Sequence, residues 1–113
     1  MSSMSTYLKN KVLNENLQAV YVALINNGKE VTKTDYKRQK VTFAAASDGQ
    51  TSNNIDVLFP IAEEAWGDIT EIVLFDNEIK GNELFRSTPE IIKNIEEASQ
   101  YKIPVNYLIV RLR

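Results

Sequence analysis

Short apolar runs separated by polar punctuation every 8 to 12 residues or so run through most of this chain, a spacing that belongs to small β-sandwiches and barrels. The exception lies at the start. Leu8, Val12, Leu13 and Leu17 stand at helical spacing behind Ser5 or Thr6, either of which can cap a helix. Asn10, Asn14 and Asn16 weaken that helix, and a helix this short is marginal in water, so it is expected to dock on the rest of the domain. Ala19 to Ile25 is a β-branched and aromatic run closed by Asn26-Asn27-Gly28, which predicts a strand covered on both faces and a turn tolerant of positive φ. Val41 and Phe43 alternate with Lys40 and Thr42 as a half-buried strand that runs out into Ser47-Asp48-Gly49. Ile55, Val57 and Phe59 alternate with Asp56 and Leu58 until Pro60 stops the ladder. Ile69 to Phe75 is the most hydrophobic strand, and a loop through Gly81 leads to a shorter one over Glu83 to Arg86.

The last third reads two ways. Pro89 to Gln100 fits a helix with proline at its first position, and it fits equally a strand over Ile91 to Ile95 with a turn at Glu96 to Ser99. Tyr101 and Ile103 before Pro104, then the alternation from Tyr107 to Leu112, make two closing strands. The whole predicts an all-β fold: a single-domain antiparallel β-sandwich, jelly-roll-like, of about eight strands, with a short N-terminal α-helix. Residues 1–17 form a tail and amphipathic helix packed on the domain, and 18–113 form the sandwich.

Composition narrows what such a domain can do. At 113 residues one core is expected, and 43% apolar with 25% charged residues is ordinary for a globular protein. There is no cysteine, hence no disulfide or thiolate metal site, and no histidine, hence no imidazole base, no common triad and no usual zinc set. Only carboxylates, lysine, tyrosine and hydroxyls remain for chemistry, which points away from an enzyme. The opening MSSMSTYLKNKV lacks the apolar core of a secretory signal, and no segment approaches the ~20 apolar residues of a membrane span. A soluble protein, cytosolic when made and without membrane insertion, is expected.

The net charge of −2 conceals a gradient: residues 1–42 carry seven Lys or Arg against three acids, and 43–113 carry six against twelve. Lys33, Lys37, Arg38 and Lys40 form the basic part, with only Tyr36 near them to stack a base, so a lysine-guarded edge strand explains them better than nucleic-acid binding.

Three constellations bear on chemistry. Glu63 and Glu64 beside Trp66, with Asp68 and Glu71 nearby, suggest glycoside hydrolysis, but adjacent glutamates point apart on a strand and solvated loop acids explain them more simply. Asp48, Asn53, Asn54 and Asp56 could offer oxygens to Ca²⁺, yet they lack the order of a calcium loop and suit Asx turns; no metal or cofactor is assigned. Trp66 and Tyr107 could stack a sugar, against which stands the habit of a lone Trp before a turn to plug a sandwich end.

Glu30-Val31, Tyr36, Arg38-Gln39, Val41-Thr42-Phe43, Ser47, Gly49, Ser52-Asn53, Phe59-Pro60, Trp66-Gly67 and Phe75-Asp76, in this order, resemble a family of small tailed-bacteriophage virion proteins labelled tail fibre protein. More weakly, Thr6 to Lys11 is similar to that family's N-terminal helix, Val20 to Leu24 to its first strand, and Asn82 to Phe85, Thr88-Pro89, Lys102-Ile103-Pro104 and Leu108 to Leu112 to its last third. The chain departs from the family in a shortened loop at Asn26 to Lys29 and in Ile95-Glu96-Glu97-Ala98-Ser99, where members carry a glycine-bearing turn. The resemblance favours strand over helix for Glu90 to Ile95 and brings no catalytic motif. A fibre shaft needs a long repetitive chain, which this is not. The resemblance implies a virion structural protein, at the tail tip, the baseplate or beside a fibre, that works by protein-protein assembly as a homo-oligomer with other virion proteins. The alternatives are a capsid decoration protein and a module for a host-surface glycan or receptor. The candidate interaction surface comprises Tyr7, Lys11, Lys33, Arg38, Trp66, Tyr107 and Arg113.

Overall fold

The computed structural model describes residues 3–112. One helix, α1 (Thr6–Asn16), precedes eleven short strands: β1 (Val20–Asn26), β2 (Lys29–Glu30), β3 (Gln39–Val41), β4 (Gln50–Ser52), β5 (Val57–Leu58), β6 (Gly67–Ile69), β7 (Glu71–Phe75), β8 (Glu83–Ser87), β9 (Lys93–Ile95), β10 (Lys102–Ile103) and β11 (Ile109–Arg111). The protein is all-β with one short helix, and every strand pairing is antiparallel. A five-stranded sheet has the order β2-β1-β7-β8, with β3 also on the β1 edge. The second layer is three ribbons, β10-β5, β11-β4 and β6-β9, in place of one continuous sheet.

The strand count exceeds eight for two reasons. The run Ile69 to Phe75 breaks at Thr70, whose N–H and Oγ1 both donate to the carbonyl of Ile25, so β6 and β7 belong to different sheets. β2 and β4 are short polar strands with no apolar pattern of their own. In the segment that fits helix or strand, no helix forms: Lys93–Ile95 are β9, paired with β6, while Ile91 and Ile92 of the expected strand lie outside it.

β1 and β7 are covered on both faces, as the near-continuous apolarity of β1 predicts. Val20, Val22, Leu24, Ile72 and Leu74 face the main core, where they meet Phe59, Ile69, Ile95, Ile103, Leu108 and Val110 from the ribbons. Ala23, Ile25 and Val73, with Phe75 against them, form a smaller cluster on the opposite face. Each large apolar side chain so buried contributes about 1.5–3 kcal/mol. Ile55 departs from its expected alternation and is exposed, while Val57 and Phe59 are buried.

Two hairpins follow directly from turn chemistry. Asn27 and Gly28 (φ 47° and 88°) join β1 to β2, and Asp48 and Gly49 (φ 54° and 75°) close a hairpin in which Ser47 and Gln50 exchange both backbone hydrogen bonds. Positive φ at both central positions is the type I′ geometry that Asn-Gly and Asp-Gly favour. The second hairpin is also where the helix docks. Ser5 caps α1 by accepting the Leu8 N–H, and Leu13 and Leu17 enter the core. The asparagines that weaken the isolated helix secure it here: Asn10 Oδ1 accepts from the Gly49 N–H at 2.9 Å and Asn14 Oδ1 from the Ala46 N–H at 2.8 Å.

Candidate interaction surfaces

The densest polar cluster sits where two strands share one edge of β1. β3 pairs with Val20 to Val22, and β2 pairs with Ile25 and Asn26, so Leu24 lies in the gap between them. There the Leu24 N–H donates to the Tyr36 hydroxyl (3.0 Å), and the Leu24 carbonyl accepts from the Val31 N–H (3.1 Å). The Tyr36 hydroxyl donates to Glu30 Oε2 (2.6 Å), and Arg38 forks onto both Glu30 oxygens at 2.9 Å. Arg38 Nη1 donates to the carbonyls of Asn77 and Lys80, and the guanidinium lies 3.7 Å from the centre of the Phe75 ring. One chain of bonds thus ties the β1 edge to the β7-β8 hairpin. Burial would raise the Glu30 carboxyl, but the Arg38 fork and the Tyr36 hydroxyl outweigh it and hold it below its ordinary value. Burial, reinforced by the Glu30 hydrogen bond, pushes the Tyr36 phenol far up, so it stays neutral.

The other constellations are likewise used inside the fold. Trp66 is buried at 4% exposure, edge-on to Tyr36 at 5.5 Å, and its indole N–H donates to Asp35 at 3.2 Å. The other Asp35 oxygen accepts the Glu63 N–H, and this bond first, with the indole, holds the Asp35 carboxyl below its ordinary value. The nearby acids do not converge: Asp68 accepts from Asn94, Glu71 pairs with Arg86 at 3.0 Å, and Glu64 lies 4.0 Å from Lys33 on the surface. Asn53 is fully buried and fully bonded. Its amide donates to the carbonyls of Ile55 and Pro104 and its oxygen accepts the Leu108 N–H, while its own N–H and C=O pair with Leu108 and Asn106. Asn54 Oδ1 accepts from Thr42, and Asp56 accepts the Val105 N–H beside Lys102. Three of the four residues whose oxygens suggest calcium, Asn53, Asn54 and Asp56, are the pins of a structural corner, and Asp48 sits in the Ser47–Gln50 turn.

Of the residues expected on an interaction surface, Tyr7 and Tyr107 are three-quarters exposed, and Lys11 and Lys33 are exposed. Two are corrections. Trp66 plugs the core and Arg38, its side chain 8% exposed, is consumed by the network above, so neither presents a face to a partner. Arg113 lies outside the described residues. What composition did not single out is exposed aliphatic surface. Ile55, Leu58 and Val105 lie around the β5-β10 ribbon, which Asp56 joins to Val105, and Tyr107 follows on the next loop. Ile91 and Ile92 project from the stretch between β8 and β9. A groove of about 400 Å³ opens between β8 and β11 over Ile72, Leu74, Phe85, Leu108 and Val110.

The fold is thus a small all-β domain in which Glu30, Asp35, Tyr36, Arg38 and Asn53 hold the chain's own edges and turns together, with several aliphatic side chains exposed among polar ones. The chain belongs to the family described as podophage GP4 fiber I protein gp80, whose model matches residues 3–111. It is therefore a phage virion structural protein. No curated protein matches the chain.

Proposed function

We propose that this protein is a tail-tip, baseplate or fibre-associated component that assembles as a homo-oligomer and binds other virion proteins without catalysis. The observation that carries the reading is the division of labour among its side chains. Glu30, Tyr36, Arg38, Asn53 and Asp35 are occupied by internal hydrogen bonds, while Leu58, Ile61, Ile91, Ile92, Tyr107 and Ile109 are more than half exposed. Paired exposed isoleucines, as at Ile91 and Ile92, offer apolar anchors of the kind that protein contacts bury. With Trp66 inside, Tyr107 is the one candidate sugar platform left of the original pair, which favours protein contacts over a glycan-binding module.

Reconstruction of the intact virion by electron cryomicroscopy, with immunogold labelling against this chain, tests the reading. Label at the tail supports it, label over the capsid surface transfers the protein to a decoration role, and absence from particles defeats both. Binding to host glycans on an array would replace the assembly reading with a receptor-binding one.

A further inference from the structure

The groove between β8 and β11 is an opening in the sandwich. β8 ends the five-stranded sheet, and β11 pairs on one side only, with β4. Leu108 and Leu112 direct their N–H groups to the β4 hairpin, to Asn53 and Gly49, so by the alternation of an antiparallel ladder the N–H and C=O groups of Ile109 and Arg111 point the other way. The same alternation runs across the large sheet. Leu24 turns its backbone groups to Tyr36 and Val31, away from β7; its partner Ile72 therefore turns to Ser87, and the backbone groups of Arg86 face outward. Two free strand edges thus border a floor of Ile72, Leu74, Phe85, Leu108 and Val110. Such an edge is a template for an added strand.

The chain also carries a segment suited to it. Residues 88–92, Thr-Pro-Glu-Ile-Ile, lie outside any strand, and no backbone hydrogen bond from them to the rest of the chain is formed among the described residues. Ile91 and Ile92 are 77% and 55% exposed, and Glu90 precedes them. At the groove, Arg111 spends its Nε on Gln50 and makes no ion pair among the described residues. We infer that the Glu90–Ile92 segment of a second copy of this chain adds as an extended strand in the β8-β11 groove, with Ile91 on the apolar floor and, by the alternation of a strand, Glu90 and Ile92 on the outer face, toward the exposed Arg111 and Ile109. The contact joins two different patches, so it is head-to-tail and closes into a ring where the rotation allows. It rests on the assembly reading and names the surface through which copies meet.

Sedimentation and light scattering of the purified full chain, over a range of concentrations, test it. An oligomer is expected that Ile91→Asp with Ile92→Asp weakens at least about tenfold, as loss of central apolar anchors does. Both positions are exposed, so the variant keeps its fold, which circular dichroism checks. Glu90→Arg is expected to weaken association and Arg111→Glu to restore it in the double variant. A synthetic Thr88–Lys93 peptide added to the Asp variant should perturb amide resonances of Arg86, Ile109 and Arg111 and spare those of Leu58 and Val105. A chain that stays monomeric at high concentration overturns the inference, as does an oligomer indifferent to these changes. A monomer that is nonetheless found in virions overturns the inference and the homo-oligomer part of the reading above, and leaves binding to other virion proteins standing.

Discussion

Replacing Tyr36 by Phe removes one oxygen atom and should cost far more than a surface hydroxyl. The ring is held by near-parallel stacking on Phe59 at 6.1 Å and by the edge contact with Trp66 at 5.5 Å, and Phe keeps both. What goes is the acceptor for the Leu24 N–H, in a residue with no exposed surface, and the donor to Glu30. An unsatisfied buried amide costs about 1–3 kcal/mol, and a hydrogen bond to a charged group contributes about 1.5–3. Glu30 keeps the Arg38 fork, which compensates for part of the second loss. A total of about 2–3 kcal/mol follows. With a urea dependence of about 1–3 kcal/mol per molar, the midpoint should fall by about 1 M. Urea unfolding followed by Trp66 fluorescence and far-ultraviolet circular dichroism measures it. The deficit should also shrink in acid, where Glu30 is protonated and the lost bond is no longer charged. A loss below about 0.5 kcal/mol, the scale of an ordinary surface substitution, would refute the claim that the hydroxyl completes the β1 edge.

Further outcomes are expected. The depressed carboxyls of Glu30, Asp35, Asp76 and Glu83 bind fewer protons folded than unfolded, so their stabilisation is complete above the ordinary carboxylate range and lost as pH falls through their folded values. Thermal melts should be level near neutrality and decline below about pH 4.5, less steeply for Glu30→Gln; an unchanged slope in that variant would remove Glu30 from the account. Asn53→Asp puts a carboxylate against the carbonyls of Ile55 and Pro104 and should cost about 3 kcal/mol or more at pH 7, less in acid, as read from denaturant midpoints; a neutral result would show that the corner is not pinned there. Ala98 is exposed at φ 69°, so Ala98→Gly should stabilise by about 0.5–1 kcal/mol, and a lowered melting temperature would contradict the strain.

How much of this was legible depended on whether a feature was local. The α1 cap, the Asn27-Gly28 and Asp48-Gly49 turns and the doubly covered β1 follow from short stretches whose chemistry is decided by neighbours in sequence. β2 and β4 were not legible, because two or three polar residues become strands only by pairing with β1 and β11. The break at Thr70 is invisible in an unbroken apolar run, since its cause is the Ile25 carbonyl 45 residues away. Asn10 and Asn14 weaken the helix in isolation and secure it in the fold for the same reason, their partners lying on a distant hairpin. Arg38 and Trp66 stand among the candidate surface residues because arginine favours interfaces and tryptophan can stack a sugar; the plug reading of Trp66 is the one the fold follows, and only the fold shows Glu30 and Asp35 as their partners. The order Glu30, Tyr36, Arg38 within the family resemblance was the available signal, and it marked a fold-defining network rather than a binding site. At Ala98, in the stretch that departs from the family resemblance, the backbone is in the left-handed conformation that glycine would occupy without strain.

The measurement that bears most directly on the central claim is a reconstruction of the virion at a resolution that fits individual strands. The account predicts density for several copies of this domain at the tail, with Ile91 and Ile92 at a protein contact and the Glu30–Arg38 network inside each copy. Particles that lack the chain would contradict it, and so would isolated copies touching nothing through their apolar surface.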